Sequence, residues 1–517
     1  MRTEMQDIIR DAFFKQEGER LVLAGRFVLT VCLPREKNAV DDLEAQVDQQ
    51  GQELKREVFR LLWEKADERV TLQQRKGKDG QGIQLRGRRP YFLLTRFGKI
   101  RVMRRIVRHR SDGSYEFPSA TAWGLPLRSY VTRGLRQGGW DAVQHVSYRN
   151  GRRLLSEQAC QEKLLSTSTL WKLVQEEAGE LREAGRQRAE AVLEQAEQAA
   201  ALLPPPNWEA RKAAADQGQL REFPPENAVQ CVAEARGLAV GFCRREPRME
   251  EMPPPRQPAV GEGEARPRRE VDAGYVMVQA DETPVKAQAH CGVKEYLFYT
   301  AVVLWGMRRW HVTASSAEQL WKEVAAFLCE LRVPEGERKL LVLADGARWI
   351  RNWFLGLGLR GKLMILCWFH LVKQVHKCLT MGLDRETREH MEPQILKHLW
   401  KGEVEQAIAV LGSLQEQAKR WAWIQQLMDY LASRRNYIPN YQDRHQAGLW
   451  IASTAVETWN DVAISTRCKR DGTHWTQDGV MTMASYQTAR QNEELGSWRG
   501  TAELPRWREG STAQAAA

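Results

Sequence analysis

The chain has 517 residues, which is enough for about three or four domains and a large buried core. Lys and Arg outnumber Asp and Glu by 77 to 66, and the net charge of +11 favours a polyanionic partner. Nine scattered cysteines without a Cys-x-x-Cys pair argue against a disulfide framework, and no apolar run reaches the ~18 residues of a membrane span. Because the start of the chain also lacks an apolar signal sequence, we expect a soluble, cytoplasmic protein.

Residues 1–85 are predicted to form a helical region of mixed charge. Apolar side chains recur there at helical spacing, at Leu43, Val47, Leu54, Val58 and Leu61. A face of this kind more often packs into a core or a dimer contact than carries chemistry, so it indicates structure and not a site.

Residues 86–202 are predicted to bind DNA, beginning with a basic ribbon. From Arg86 to Arg110 there are ten Lys or Arg and no acid, and apolar residues alternate around Phe97-Gly98 as in a hairpin. A solvated charged face is the alternative, but unpartnered cations repel one another until an anion such as a phosphate backbone neutralises them. The candidate contacts are Arg86, Arg88, Arg89, Arg96, Lys99, Arg101, Arg104 and Arg105.

A helix-turn-helix is the second predicted DNA-binding element. Ser156 is expected to cap a first helix that Leu164-Leu165 closes, and a turn at Ser166-Thr167 starts a second helix over residues 169–178. The exposed first turn of that second helix would face the major groove with Ser168, Thr169 and Lys172. Many helical hairpins share the pattern, so a plain helical hairpin is the alternative. A further helix is predicted over residues 180–202.

Two proline runs frame residues 203–270, which we predict to be a linker or mobile insertion. Beyond it, YVMVQADETPV, EYLFYTAVVL and MRRWHVTA read as three sequential strands, the last two around Trp305-Gly306. A helix from SSAEQLWKEV, the strand LLVL, the helix ARWIRNWF and the strand KLMILCW follow. This succession predicts an RNase H-like mixed sheet in which the first and fourth strands lie side by side.

Three carboxylates fall at informative places in that succession. Asp345 follows a strand that reads as buried on both faces, and Asp281 ends the first strand, so both should meet at one sheet edge. Glu457 lies in a segment that reads as helical. An Asp at a strand end is often only a turn, but two Asp and one Glu on two strands and a helix suit a site for two magnesium ions. Glu282 should point to the opposite face from Asp281.

These stretches, with CWFHLVKQVHK and STAVETWNDVAISTRCKRDGTHW, resemble the catalytic half of bacterial insertion-sequence DDE transposases, in particular mutator-like ones. The resemblance covers about residues 275–490 and includes a Cys-x-x-His pair, Cys367 and His370, after the second aspartate. It implies metal-assisted phosphoryl transfer with Asp281, Asp345 and Glu457 as catalytic metal ligands for two Mg²⁺ ions, or Mn²⁺ as a substitute. It also implies double-stranded DNA partners, namely the element's terminal inverted repeats and the target, and a homo-oligomer on DNA at the nucleoid.

The domain plan that follows is α/β: a core at 271–370 and 451–490, interrupted by an all-α insertion at 371–450 and followed by a tail at 491–517. Asn460, one turn from Glu457, is expected to orient that residue or touch DNA, and Arg467, Lys469 and Arg470 either clamp DNA or form a solvated face. Because no second ligand pair follows Cys367 and His370, they are expected to set packing beside the site and not to bind zinc. The rival functions are a transposase-derived repressor without catalysis, another RNase H-fold nuclease such as a junction resolvase, and a haloacid-type phosphatase. The last needs an Asp two residues after the first, where this chain has Thr283.

Overall fold

The computed structural model describes residues 9–17, 20–28, 39–76, 82–201, 275–306, 308–334, 338–357, 359, 362–470, 472–505 and 507. The chain divides into two compact units, residues 1–177 and residues 178–517. The predicted linker at 203–270 lies outside the described residues. Within the described part of the chain, no helix combines the length and apolar character that crossing a bilayer requires.

In its described residues the first unit contains two sheets and five helices, and the last helix continues past residue 177. Its elements are β1 (Ile9–Glu17), β2 (Arg20–Phe27), α1 (Ala39–Lys76), β3 (Ile83–Thr95), β4 (Gly98–His109), β5 (Tyr115–Glu116), α2 (Pro118–Trp123), β6 (Ser129–Val131), α3 (Arg133–His145), α4 (Tyr148–Gln158) and α5 (Thr167–Ala201). The strands β1 and β2 pair with each other, and a four-stranded sheet has the order β5-β4-β3-β6.

The long antiparallel hairpin of β3 and β4 is the predicted ribbon, with Thr95 paired to Gly98 across its turn. One face of it buries Tyr91, Leu93, Ile100 and Val102, against which Phe59 and Trp63 of α1 pack. The predicted helical face of α1 is therefore only part of the contact, since Leu43 and Val47 are exposed.

Three predictions for this unit are corrected. Ile9–Glu17 and Arg20–Phe27 form the paired strands β1 and β2 and not a helix, because extended strands satisfy each other's backbone groups and Phe and Val favour strands. Ser156 does not begin a helix: it is buried within α4, which starts earlier, after Ser147, whose hydroxyl accepts from Asn150 N. The second helix runs unbroken from Thr167 to Ala201 through Gly179, since one glycine weakens a helix without ending it.

The second unit is built on a five-stranded sheet of order β11-β10-β7-β8-β9. Its strands and first helices are β7 (Tyr275–Lys286), β8 (Glu295–Trp305), β9 (Arg308–Ala314), α6 (Ala317–Glu330), β10 (Lys339–Ala344), α7 (Arg348–Gly356) and β11 (Leu363–Leu366). The remaining helices are α8 (Trp368–Gly382), α9 (Arg385–Trp400), α10 (Val404–Gly412), α11 (Trp421–Ala432), α12 (Tyr441–Gln446), α13 (Thr454–Asn460), α14 (Thr466–Cys468), α15 (Gln477–Gln491) and α16 (Leu495–Thr501).

The predicted succession of strands is confirmed: β7, β8 and β9 are antiparallel neighbours, and β10 lies parallel to both β7 and β11. β7 and β10 thus lie side by side, as expected. Two details are corrected. β7 does not end at Asp281 but continues to Lys286, because β8 pairs with it along that whole length. The predicted tail at 491–517 begins with α16, and Trp507 beyond it is buried and stacks on Phe327 at 3.8 Å between ring centroids.

Candidate functional site

Asp281 and Asp345 come level with each other across two neighbouring parallel strands. The last paired residues of β7 and β10 are Val278 and Val342. Asp281 lies three residues after Val278, and Asp345 lies three residues after Val342. β10 ends at Ala344, so Asp345 begins the loop at its carboxyl end while Asp281 remains within β7. Both aspartates are half-buried at the sheet edge where parallel strands usually place chemistry.

The Asp281 carboxylate is held by two donors. Its Oδ2 accepts from Asn460 Nδ2 at 2.7 Å, and its Oδ1 accepts from the backbone N–H of Glu282 at 2.8 Å. Burial raises the pKa of this carboxyl from 3.8 to about 6, and the charges of Asp345 and Glu457 add to the rise. The three predicted carboxylates therefore share one electrostatic field, and a proton or a cation there lowers their mutual repulsion.

Asp345 is fixed by the turn that follows it. Its Oδ1 accepts from Ala347 N at 2.8 Å across Gly346, which has a φ of 76°. A Cβ at Gly346 would lie 2.8 Å from Leu366 Cδ1, so the position requires glycine both for its backbone and for its space. The turn aims the carboxylate just before α7 begins.

Glu457 is delivered by α13, and its side chain is 43% exposed. Ser453, which precedes the helix, is of a type that usually caps, but its side chain makes no capping bond and its Oγ lies 3.5 Å from Glu457 Oε1. The first backbone N–H groups of the helix are instead bound by Gln279 of β7, whose Oε1 accepts from Ala455 N at 3.0 Å and Val456 N at 3.2 Å. Sequence reasoning missed Gln279; the available signal was one amide inside an apolar strand.

Asn460 lies one turn beyond Glu457 and is buried. Its amide nitrogen donates to Asp281, while its Oδ1 accepts from Thr300 Oγ1 of β8 at 2.5 Å. Asn460 was expected to orient Glu457 or touch DNA; its buried side chain bonds to Asp281 and Thr300, so it acts on Glu457 only by tying α13 to β7 and β8. A five-residue π-helical turn, Asp461–Ser465, follows it directly, a feature found often at functional sites.

Glu282 has different surroundings from Asp281, as strand alternation predicts. Burial raises its pKa, the charge of Asp345 adds to the rise, and the indole of Trp349 in α7 opposes it. Glu282 is thus associated with α7, whereas Asp281 is bonded to α13.

Cys367 and His370 lie at the start of α8, beside Glu457. The Cys367 thiol is fully buried, and its Sγ accepts from Ser453 N at 3.3 Å. Burial acts to raise the pKa of Cys367, but hydrogen bonds with His370 and Ser453 outweigh it and lower the pKa. The bond with Cys367 is the main cause that raises the pKa of His370 to about 9; burial opposes it, and Asp345 and Asp281 add to it.

The ligand atoms of Cys367, His370 and Glu457 all lie within 4.8 Å of one another, with His370 Nδ1 3.8 Å from Glu457 Oε1. Such a cluster could hold a soft metal ion. Because the Cys367 thiol is enclosed and accepts from Ser453 N, we interpret the group as packing beside Glu457, with His370 at ion-pair distance from that carboxylate.

A cation from the helical segment also approaches Asp345. Arg434, just after α11, lies over the Tyr430 ring at 4.0 Å, and its guanidinium donates to the Gly346 carbonyl at 3.4 Å. Burial lowers the pKa of Arg434, while the charges of Tyr430 and Asp345 act in the opposite direction. No spacing in the sequence marks this residue, because its contact depends on how the segment 371–450 folds back onto the sheet.

The three predicted basic residues after α13 differ in their exposure. Arg467 is half-buried with its guanidinium over the Trp475 ring at 4.9 Å, whereas Lys469 and Arg470 are exposed. Arg470 Nε donates to the Thr466 carbonyl at 2.9 Å.

On the ribbon of the first unit, six of the eight predicted DNA contacts are exposed and two are not. Arg104 is buried over the Phe117 ring at 3.7 Å and donates to the Leu127 carbonyl. Arg105 is buried against Asp67, 3.4 Å between Arg105 Nη1 and Asp67 Oδ2. The prediction that Arg104 and Arg105 contact DNA is therefore corrected: both have structural roles. The exposed six are Arg86, Arg88, Arg89, Arg96, Lys99 and Arg101.

The first turn of α5 contains the three predicted groove residues. Ser168 and Lys172 are exposed, and Thr169 is half-buried. Ser166 Oγ accepts from Thr169 N at 3.0 Å and lies 2.9 Å from Ser168 Oγ and 2.7 Å from Thr169 Oγ1. The hydroxyls of Ser168 and Thr169 therefore take part in the helix cap, which leaves Lys172 as the freest of the three to meet a ligand.

Comparison with known proteins gives one family. Residues 34–200 and 281–504, more than half of the chain, match the uncharacterised protein family UPF0236. No curated protein shows a significant match to the chain. The matched residues include Asp281, Asp345 and Glu457, together with Cys367 and His370.

Proposed function

The chain belongs to the uncharacterised protein family UPF0236, and we propose that it is a DNA transposase that cuts and joins DNA by metal-dependent phosphoryl transfer. The observation that carries the proposal is the convergence of Asp281, Asp345 and Glu457 from two adjacent parallel strands and one helix. The order of the sheet supports it, because we interpret three antiparallel strands, β7 to β9, with two parallel strands, β10 and β11, beside β7 as an RNase H-like core.

The residues at this edge fit divalent cations such as Mg²⁺. Their donors are carboxylate oxygens, which hard cations prefer. Burial first, and then the charges of Asp345 and Glu457, raise the pKa of Asp281, and a bound cation would offset both effects. Asp281, Asp345 and Glu457 would hold the ions. When bound, two such ions would activate an attacking hydroxyl and stabilise the leaving oxygen of a phosphodiester.

The chain's own residues perform the positioning. Asn460 and the Glu282 N–H set the direction of the Asp281 carboxylate, and the Ala347 N–H sets that of Asp345. His370 holds positive charge beside Glu457, so it can limit the repulsion among the carboxylates before substrate arrives.

We propose that the first unit binds double-stranded DNA, the terminal inverted repeats of the element. The six exposed cations of the β3–β4 ribbon would contact phosphates, and α4 with α5 would act as a helix-turn-helix. Lys469 and Arg470, which are exposed after α13, would contact DNA near the cleavage site. The chain would act as a homo-oligomer on DNA.

The experiment that tests the proposal measures Mg²⁺-dependent nicking of a DNA fragment that carries the ends flanking the gene. Asp345→Asn keeps the oxygen that accepts from Ala347 N but removes the charge, so we expect cleavage to fall about a thousandfold, equivalent to ~4 kcal/mol of barrier, while DNA binding persists. Glu282→Gln is the matched control, an adjacent acid associated with α7, and should stay within about threefold of wild type. Binding without any wild-type nicking would favour the repressor instead, and wild-type cleavage by Asp345→Asn would refute the assignment of Asp345.

A further inference from the structure

The helix that carries Glu457 is capped from another element of the fold. A helix leaves its first N–H groups without intrahelical partners, and the residue before it usually supplies an acceptor. Ser453 could do so by type, yet it makes no such bond. The N–H groups of Ala455 and Val456 both donate to Gln279 Oε1.

Gln279 and Asp281 lie two residues apart on β7, so their side chains leave the strand on the same face. Gln279 is fully buried, and it binds α13 immediately before Glu457. Asn460 binds the same helix back to Asp281 one turn after Glu457. Glu457 is therefore bracketed by two hydrogen-bonded links to the strand that carries Asp281.

We infer that Gln279 is a positioning residue that sets the separation of the Glu457 and Asp281 carboxylates, and so the affinity of the site for divalent cations. The inference rests on the proposed function, since it assumes that these carboxylates hold the ions. A shared ion requires both carboxylates to be held within about 0.5 Å of the productive geometry. If the acceptor of Gln279 is lost, the start of α13 loses its cap and Glu457 is no longer held at one distance from Asp281.

The test uses the full-length chain and measures Mn²⁺ binding without DNA by electron paramagnetic resonance, with Mn²⁺-dependent DNA nicking as a second readout. Gln279→Met keeps the length and volume of the side chain but removes the acceptor. We expect the Mn²⁺ concentration at half-saturation, the midpoint of the binding curve, to rise at least about tenfold. This is the range seen when residues that orient metal ligands are removed. Gln279→Glu keeps an oxygen facing the two N–H groups at a helix N-terminus, and its midpoint should stay within about threefold of wild type.

A matched control removes a different buried hydrogen bond from the same helix. Trp459 Nε1 donates to the Val312 carbonyl of β9 at 3.2 Å, so Trp459→Phe should lower thermal stability without moving the Mn²⁺ midpoint. This comparison separates positioning from a general loss of packing. Should Gln279→Met not fold, Gln279→Asn, which keeps the amide but shortens its reach, takes its place with the same expected rise.

Each outcome has a defined meaning. An unchanged midpoint in the variant without the acceptor overturns the positioning role, and so does an equal rise in Gln279→Glu or in Trp459→Phe. Wild-type protein that neither binds Mn²⁺ nor nicks DNA refutes the proposed function itself. Wild-type binding and cleavage with an unaltered Gln279→Met refutes only the role of Gln279.

Discussion

Asp281→Asn should stabilise the metal-free protein at neutral pH while removing metal-dependent cleavage. In the folded chain, burial and then the charges of neighbouring acids raise the pKa of this carboxyl from 3.8 to about 6. A carboxyl with a raised folded pKa binds its proton more tightly when folded, so its ionisation costs stability as the pH rises from the unfolded value to the folded one. Replacing the acid with an amide removes that cost.

The expected size follows from the surroundings of Asp281. A difference of about two between the folded and unfolded pKa values corresponds to ~3 kcal/mol. Asparagine has one carbonyl oxygen, whereas Asn460 Nδ2 and Glu282 N donate to two different oxygens of Asp281. One donor therefore loses its acceptor, at a cost of about 1 kcal/mol, which leaves a net gain of about 2 kcal/mol above pH 7.

The assay is urea unfolding in EDTA, followed by tryptophan fluorescence, for wild type and Asp281→Asn at about pH 5 and about pH 8. The advantage of the variant should be larger at the higher pH, because the wild-type carboxyl ionises between the two. Added Mg²⁺ should stabilise the wild type and leave the variant nearly unchanged, since only the wild type keeps the charge that would bind the ion. A variant less stable than wild type at both pH values, or an advantage independent of pH, would refute the reasoning.

Three further outcomes test other parts of the structure. Arg101→Ala should weaken DNA binding in a mobility shift and reduce the log–log salt slope by about one from the near −5 expected of six phosphate contacts, without changing stability. Arg105→Ala should leave Asp67 buried without its cation and lower the unfolding free energy by about 3 kcal/mol in urea, while an unchanged midpoint would contradict the structural role. Gly346→Ala should lose at least ~1 kcal/mol of stability, because the backbone has a positive φ and the new Cβ meets Leu366, and cleavage should fall with it; a variant with wild-type stability would show that the turn is not constrained.

The strands and helices of the second unit could be predicted because their signals in the sequence are local. Runs of apolar residues that end at Gly or Asp marked the strands, and the chain order of strands and helices was sufficient to bring β7 beside β10. The end of β7 was not readable, since its last residues are extended by pairing with β8 and not by their own composition. Likewise Arg104 and Arg105 looked identical to their exposed neighbours, because only the fold brings Arg105 against Asp67 of α1 and Arg104 against Phe117.

The contacts that orient the carboxylates were beyond sequence reasoning for a related physical reason. Gln279 meets Ala455, and Asn460 meets Asp281, across separations of more than 170 residues. No periodicity links such positions, and a single chain provides no covariation. What the sequence did contain was the anomaly itself: an amide in the middle of a strand buried on both faces, which must find hydrogen-bond partners there.

These links share a chemical property that bears on function. Asp281 is held by an amide and a backbone N–H, Asp345 by a backbone N–H, and the helix of Glu457 by the neutral amide of Gln279. A neutral donor fixes the direction of a carboxylate without cancelling its charge, whereas an arginine in the same place would do both. These hydrogen bonds leave the carboxylate charges in place, and the one positive charge of His370 beside Glu457 is outnumbered by three acids, so the cluster stays available to a cation. In such a site the repelling carboxylates lower the stability of the metal-free protein and favour the binding of a cation. This arrangement is expected where function and not folding has determined the residues.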